Sequence, residues 1–496
     1  MTDITADGAS AHAIGAVTRA PVKIVTKKNV ITWVALAFMT TGSVASLRAA
    51  PTMGVYGLAA VFLYVVPAIL FLLPQALVAA ELASGWSGGV YRWVTEALGA
   101  PLGLLAIWCQ FAMTIFYYPS LLAYVASTFA YVINPDLASN GLYTAIVIIS
   151  VYWAAVLVSS RGMKAIAKLA SSGLVIGTLI PGTVLVGLGI AYLLGGNVSA
   201  APMDVDNLLP AWTGIASLVL IVNNFLSYSG MEMNAVHVSD LKDPPREFPK
   251  AMFLAIGLVL LIFILPALAI SWVVPASDIS LTAGVMQAFE AFFGFFGVSF
   301  LVPVIALMLI VASLGGMLAW LAGPSTGLLL IGREHGYLPP HFQKLNSKGI
   351  QVNILVAQGV VTSIIACLYA FIPDVSSAYW IFSVMTTQVY LIVYVLMFIT
   401  AVKLRRDQPD HPRGYRAPFL GLLCVVGFLS TIAAFFIGFV PPSQFSSDSV
   451  FLYVAIIGGG VGIIGLLIPF LLYKLRKPSW KVDRSGSEPG GAEAAA

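Results

Sequence analysis

The chain is 496 residues long; 59% of them are hydrophobic, only 9% are charged, and the mean hydropathy is +0.95. A water-soluble domain could not hide that much apolar side chain, and a net charge of +4 offers no basic surface of the kind that nucleic acid demands. The composition predicts an all-α polytopic membrane protein.

A helical crossing takes roughly 20 apolar residues, and twelve such runs follow one another. They cover 29–54, 56–83, 100–133, 142–158, 168–194, 211–240, 251–273, 297–332, 351–372, 378–402, 417–439 and 450–474. Several exceed a plain crossing, so tilted or interrupted helices are expected. Residues 1–26 lack the apolar centre of a cleavable signal and read as a mobile tail. Residues 27–477 form the membrane domain, and 478–496, rich in Ala, Gly, Ser and charge, read as a second mobile tail.

Lys and Arg accumulate in short cytoplasmic connections. With twelve crossings and both termini in the cytoplasm, 24 of the 25 Lys and Arg residues fall on that side, in groups such as Arg161, Lys164 and Lys168, or Arg405, Arg406, Arg413 and Arg416. The opposite connections hold acids, including Asp136, Asp204, Asp278 and Asp448. Arg48 is the one exception. At 1.5 Å per residue it lies about 30 Å along an unbroken helix from Lys28, toward the outer mouth. Three readings are open: it snorkels to headgroups, it pairs with a buried acid, or it lines an outer vestibule and meets a substrate carboxylate.

Irregular backbone at membrane depth survives only where protein buries it or where it lines a cavity. Run one contains T-T-G-S at 40–43 and Pro51; run six contains S-Y-S-G-M-E-M-N at 227–234. These are the first members of two five-helix halves, about 29–194 and 211–402, which enter the membrane from opposite sides. That pattern predicts a 5+5 inverted repeat with broken helices 1 and 6 and two peripheral helices at about 417–474. Opened turns would present N–H groups to a carboxylate and C=O groups to an ammonium. A bundle packed closely through Gly42 and Gly230 is the plainer alternative.

The stretch L-S-Y-S-G-M-E-M-N-A-V-H-V-S-D-L-K-D-P-P-R-E-F-P-K-A-M (226–252) resembles the sixth-helix signature of the amino acid–polyamine–organocation superfamily. A-E-L-A-S-G-W-S-G-G-V-Y-R-W-V (80–94), I-S-L-T-A-G-V-M-Q-A-F (279–289) and A-W-L-A-G-P-S-T-G (319–327) narrow the resemblance to the glutamate:γ-aminobutyrate antiporter family. It spans about 28–475 and implies a leucine-transporter-type fold and a secondary active carrier in the cell membrane. Such a carrier would exchange amino acids for related amines or take them up with protons by alternating access. A nutrient sensor on the same scaffold is the alternative, although sensors add a sizeable soluble extension. Arg48 and the eighth-run segment L-G-G-M-L-A-W, with Gly315 and Gly316, depart from the glutamate-handling members.

The expected substrate-binding residues are Thr41, Gly42, Ser43 and Arg48 in run one and Tyr228, Ser229 and Gly230 in run six. Trp320 could stack on a substrate, and Tyr390 and Tyr394, one helical turn apart, match substrate-facing positions of the family. Phe116, Tyr117 and Tyr118 in run three are further candidates. Glu232, an acid beside a break, matches the family's gating or proton-handling position, and Arg48 is the other gating candidate. Run five reads A-S-S-G-L-V-I-G-T-L-I-P-G at 170–182, without the interior lysine that replaces sodium in some relatives; Lys168 stands at its start. Ser313 and the breaks could supply oxygens to a cation. Neither spacing nor resemblance implies a metal or a cofactor. The ionisable groups within the runs, Arg48, Glu81 and Glu232, are too few for a membrane enzyme. The expected partners are the lipid bilayer, a small amino acid or amine, and protons.

Overall fold

The computed structural model describes residues 31–161, 175–372, 374–444 and 449–482, and no strand occurs among them. The predicted N-terminal tail, Lys164 and Lys168 at the start of run five, Asp448, and residues 483–496 lie outside the described residues.

The chain begins with α1 (Trp33–Val44) and the short α2 (Ala50–Gly54). It continues through α3 (Gly57–Gly85), α4 (Gly89–Leu98), α5 (Ala100–Ile133), α6 (Gly141–Ser160) and α7 (Val175–Leu194). Then come α8 (Val222–Tyr228), α9 (Met231–Asn234), α10 (Pro244–Val273), α11 (Gly284–Phe295) and α12 (Ser299–His335). The last are α13 (Val352–Ala370), α14 (Val375–Asp407), α15 (Leu420–Ile437) and α16 (Val450–Leu475). Ten of these, α3, α5, α6, α7, α10 and α12 to α16, are long and apolar enough to cross a membrane.

Among the described residues, runs one and six are the two that do not fold as single long helices. Run one stops at Val44 because Ala45 and Ser46 take extended conformations (ψ 122° and 137°), with the Ala45 N–H closing on Thr41 O at 2.8 Å. The chain restarts in a 3₁₀ turn, Leu47–Ala49, in which the Ser46 hydroxyl accepts from Arg48 N at 3.3 Å. Pro51 sits in the first turn of α2, where a missing N–H does no harm. Run six is a 3₁₀ stretch (Ile215–Ile221), α8, a break at Ser229 and Gly230, α9, and a second 3₁₀ stretch (Ala235–Asp240).

Proline also shapes the intact helices. Wider π-turns cover Ala68–Leu72, Val175–Leu179 and Val461–Leu467, and two residues after each comes a proline: Pro74, Pro181 and Pro469. Proline offers no N–H and its ring crowds the carbonyl one turn back, so a local change to a wider turn lets the helix pass it. Three spans are therefore reshaped by their own sequence.

α14 lies at the centre, with 83% of its apolar window buried, and it packs most extensively on α5. α7, α15 and α16 have only 28%, 28% and 22% of theirs buried, and the last two carry outward-facing side chains such as Leu422, Leu429, Phe451 and Phe470, so all three lie toward the outside of the bundle. α4 and α11 fall between the predicted runs. Both are amphipathic and too short to cross; α4 buries Val90, Tyr91, Trp93 and Val94 against the bundle. Residues 478–482, assigned to the mobile tail by sequence, are pinned to the end of α12, with Val482 N–H donating to Arg333 O at 3.1 Å and Gln343 Nε2 donating to Trp480 O at 2.8 Å.

Candidate functional site

The two interrupted runs meet at a cavity of about 370 Å³. One wall is the α1 end and the break (Gly42 to Leu47); another is Gly230, Met233 and Asn234; α5 adds Tyr117 and Tyr124, α7 adds Thr178, and α12 adds Ser313, Gly316 and Trp320. A smaller cavity of about 60 Å³ adjoins it, lined by Arg48, Ala49, Ser227, Ser229 and Tyr390. Ser43, Ser46, Tyr117 and Trp320 face both.

The break in run six exists because Gly230 stands at φ +110°, a conformation that L side chains rarely adopt. A Cβ there would meet Trp320 Cζ2 at 3.6 Å, an ordinary contact, so the requirement for glycine comes from the backbone angle and not from crowding. Ser229 sends its hydroxyl back to Phe225 O at 2.7 Å, which satisfies an end carbonyl of α8.

Behind the break, Glu232 is buried and collects three donors. Tyr390 OH donates to Oε1, Tyr394 OH to Oε2 at 2.8 Å, and Gly230 N–H to Oε2 at 3.1 Å; Gly230 N–H also donates to the Tyr394 phenolic oxygen at 3.0 Å. A buried carboxylate is tolerable only when its lone pairs are filled in this way. The arrangement fastens the first turn of α9 to the middle of α14. Tyr390 in turn lies edge-on to Trp320, with centroids 6.1 Å apart, and Trp320 lies 6.0 Å from Tyr117.

Arg48 is half-buried and points into the bundle. Nη1 donates to Ser120 Oγ at 3.3 Å, and the guanidinium sits 5.1 Å from the Tyr117 ring centroid and 5.8 Å from that of Tyr379. Both distances are within cation–π reach. Of the three readings open from the sequence, pairing with a buried acid is not what is seen: no ion pair engages the Arg48 head among the described residues.

Gly42, Ser43, Gly230 and Trp320 thus line the larger cavity, and Arg48, Ser229 and Tyr390 the smaller. Three expected binding residues, Thr41, Tyr228 and Tyr394, stand elsewhere. The Thr41 hydroxyl is buried and spent on Ala37 O at 2.8 Å, on the face of α1 turned away from the cavity lining. Tyr228 is fully buried, donates to Tyr64 O at 2.8 Å and packs near Phe263; its neighbours Ser227 and Ser229 face the cavity instead. Tyr394 and Glu232 also stay behind the lining. Of the run-three candidates, Tyr117 faces both cavities, while Phe116 and Tyr118 pack into the core.

Sequence reasoning missed Ser46, Ser120, Asn234 and Tyr379. Asn234 Nδ2 donates to Ser43 Oγ at 2.7 Å and ties the two breaks together. Tyr379 had a usable signal: Tyr379, Tyr390 and Tyr394 are 11 and 15 residues apart (390 − 379; 394 − 379), close to whole helical turns, and so share one stripe of α14.

Glu81, at the end of α3, belongs to a different cluster. Arg405 Nε and Nη2 hold it bidentately at 2.7 and 2.5 Å, Arg413 Nη1 approaches at 3.3 Å, and Ala417 N–H donates at 2.8 Å. Burial beside that carboxylate pushes the Tyr415 phenol up to about 12. The connection 408–419 is thereby bound to the end of α3.

The ten apolar helices, together with a cavity built on two interrupted segments, define a multi-pass membrane protein of the carrier type, and the comparison with known sequences agrees. Residues 31–461 match the amino acid permease family, and the chain belongs to it. It is 35% identical to an uncharacterized transporter of Legionella pneumophila, covering 90% of this chain and 97% of that one. It is 30% identical to a glutamate/γ-aminobutyrate antiporter of Lactococcus lactis, covering 88% and 89%, and 24% identical to a probable agmatine/putrescine antiporter of the same species, covering 74% and 78%. The family and these relatives are transporters, not enzymes.

Proposed function

We propose that the chain is a secondary active amino acid exchanger of the cell membrane, working by alternating access across twelve crossings with both termini in the cytoplasm. The observation that carries the proposal is the cavity at the two interruptions, lined from both of them and flanked by Arg48 on one side and the Glu232–Tyr390–Tyr394 latch on the other. In this reading runs one and six are the broken helices 1 and 6 of a 5+5 inverted repeat. α15 and α16, which follow the second repeat and are weakly buried, as α7 also is, are the two peripheral helices.

The opened turn at Ala45 to Leu47 offers backbone groups to the zwitterionic end of a substrate. Trp320 and Tyr117 cover its aliphatic part, and Arg48 provides a planar donor fork for a carboxylate. Glutamate and γ-aminobutyrate, the pair in one relative's name, both carry a carboxylate and an amine, which suits this combination. Glu232 acts as the gate: an arriving substrate that disturbs Trp320 or Tyr390 competes with the hydrogen bonds that hold α9 to α14, and protonation of the carboxylate would weaken the same latch.

The test is counterflow in proteoliposomes. Vesicles loaded with unlabelled glutamate should accumulate external labelled glutamate or γ-aminobutyrate transiently, and empty vesicles should not. Accumulation in empty vesicles driven by a proton gradient would show coupled uptake in place of exchange; no movement in either case would reject the carrier and favour the sensor. In the same assay Glu232→Gln should keep exchange measurable while flattening its pH dependence, because the amide retains the size and loses the titration. An unchanged pH profile would remove Glu232 from proton handling.

A further inference from the structure

Cations at one face of a membrane protein are expected from topology alone, and some of those among the described residues are neutralised in place: Arg405 and Arg413 hold Glu81, Lys403 pairs with Asp407 at 2.7 Å, Arg92 with Glu96 and Arg246 with Asp243, while others, Lys344 and Lys348 among them, stand singly in connections. The end of α16 is different. Lys474, Arg476, Lys477 and Lys481 converge on one cavity of about 580 Å³, closed by Tyr337, Tyr473 and His335. The ion pairs found among the described residues engage none of the four; the acid beside them, Glu334, faces His335 Nε2 at 3.7 Å. Three of the four rest against rings instead: Lys474 Nζ 4.5 Å from the Phe470 centroid, Arg476 3.7 Å from Tyr473 and Lys477 5.5 Å from Trp480.

The basic segment is also fixed in place. Lys477 N–H donates to Gly336 O at 3.4 Å, and the close approach requires glycine, since a Cβ at Gly336 would stand 2.5 Å from Lys477 O. The 3₁₀ turn Pro478–Trp480 then carries Lys481 back over the cavity. The first residue of α5, Ala100, lines the same space, so the positive end of a 34-residue helix without a side-chain cap adds to the field. Next to the cavity, α16 exposes Leu467, Phe470, Leu471 and Leu475, an apolar strip of the kind acyl chains cover.

We propose that this cavity, between the ends of α12 and α16 and the start of α5, binds the phosphate headgroup of an anionic phospholipid whose acyl chains lie along the exposed face of α16. The apolar strip is what selects a lipid over a free phosphate ion, and the site is independent of the substrate cavity. Occupied, it would hold a weakly packed peripheral helix against the central α5.

Native mass spectrometry of the full-length protein in detergent, titrated with phosphatidylglycerol, tests this directly. Wild type should bind phosphatidylglycerol about tenfold more tightly than phosphatidylcholine of the same chain length, and Lys477→Gln/Lys481→Gln should erase most of that preference. Lys242→Gln/Arg246→Gln, which removes two cations elsewhere, should leave it intact. Equal binding of both lipids by wild type, or equal losses in the two double variants, would overturn the site. Full competition by inorganic phosphate at the lipid's own concentration would overturn the lipid assignment. Monodisperse gel filtration of each variant keeps a folding defect from being read as lost binding.

Discussion

Arg48 shows how one side chain can depart from the rule its whole chain follows. The other 24 Lys and Arg residues fall on the predicted cytoplasmic side; this one is inside the bundle, between Tyr117 and Tyr379 and hydrogen-bonded to Ser120. A charge held by rings and one hydroxyl has donors to spare, and a cavity at its head lets a carboxylate use them. Lysine would preserve the charge but lose the planar fork. Arg48→Lys should therefore weaken apparent external affinity for a carboxylate-bearing amino acid by about tenfold, on the scale of one charge-assisted hydrogen bond. Affinity for the corresponding decarboxylated amine should change little, with expression unaltered. Equal effects on both substrates, measured in outside-facing uptake assays, would leave Arg48 with a structural role alone.

At the level of elements, the break between α8 and α9 depends on a single backbone angle. Gly230→Ala places a side chain at φ +110°, which costs about 1–3 kcal/mol of strain, while its Cβ finds 3.6 Å of room beside Trp320. The relief available to the chain is to rotate that peptide, and the same peptide's N–H holds Glu232 and Tyr394. The expected result is a lower melting temperature with a larger loss of exchange than of folded protein. A variant with wild-type exchange would show that the left-handed turn is dispensable. By contrast Ser229, next to it, is extended (φ −74°, ψ 147°) and tolerates any side chain conformationally.

On the scale of the whole molecule, the proposed topology puts α14 and its stripe of tyrosines at the centre and turns the connection at Ser443 outward and that at Lys344 inward. In a background with exposed Cys367 replaced, a cysteine at position 443 should react with an impermeant maleimide added to intact cells, and one at 344 should react only after permeabilisation. The reverse pattern would reject the orientation. The same arrangement explains why Glu81, acidic and near a helix end, is a tether and not part of the site: two arginines from the connection after α14 reach it first.

The class of protein, its apolar runs and the place where run six fails as a helix were legible in the sequence, because each depends on a segment's own composition: hydrophobic length against bilayer thickness, and a glycine that permits a left-handed turn. In run one the expected T-T-G-S break is instead the last turn of α1, and the interruption falls at Ala45 and Ser46, which no glycine or proline marks. The acid beside the second break and the tyrosines of α14 could also be named in advance, by resemblance and by helical spacing. Their mutual contact could not. Whether Thr41 or Ser43 faces the cavity, whether Tyr228 points in or its neighbours do, and which residues of α5 and α14 meet Arg48 are decided by how α1, α5, α8, α12 and α14 rotate against one another. In helices that are apolar almost all round, no polar face marks the inward side. Only the packed bundle chooses it, by filling volume and by leaving each buried hydroxyl and carboxylate within reach of a partner.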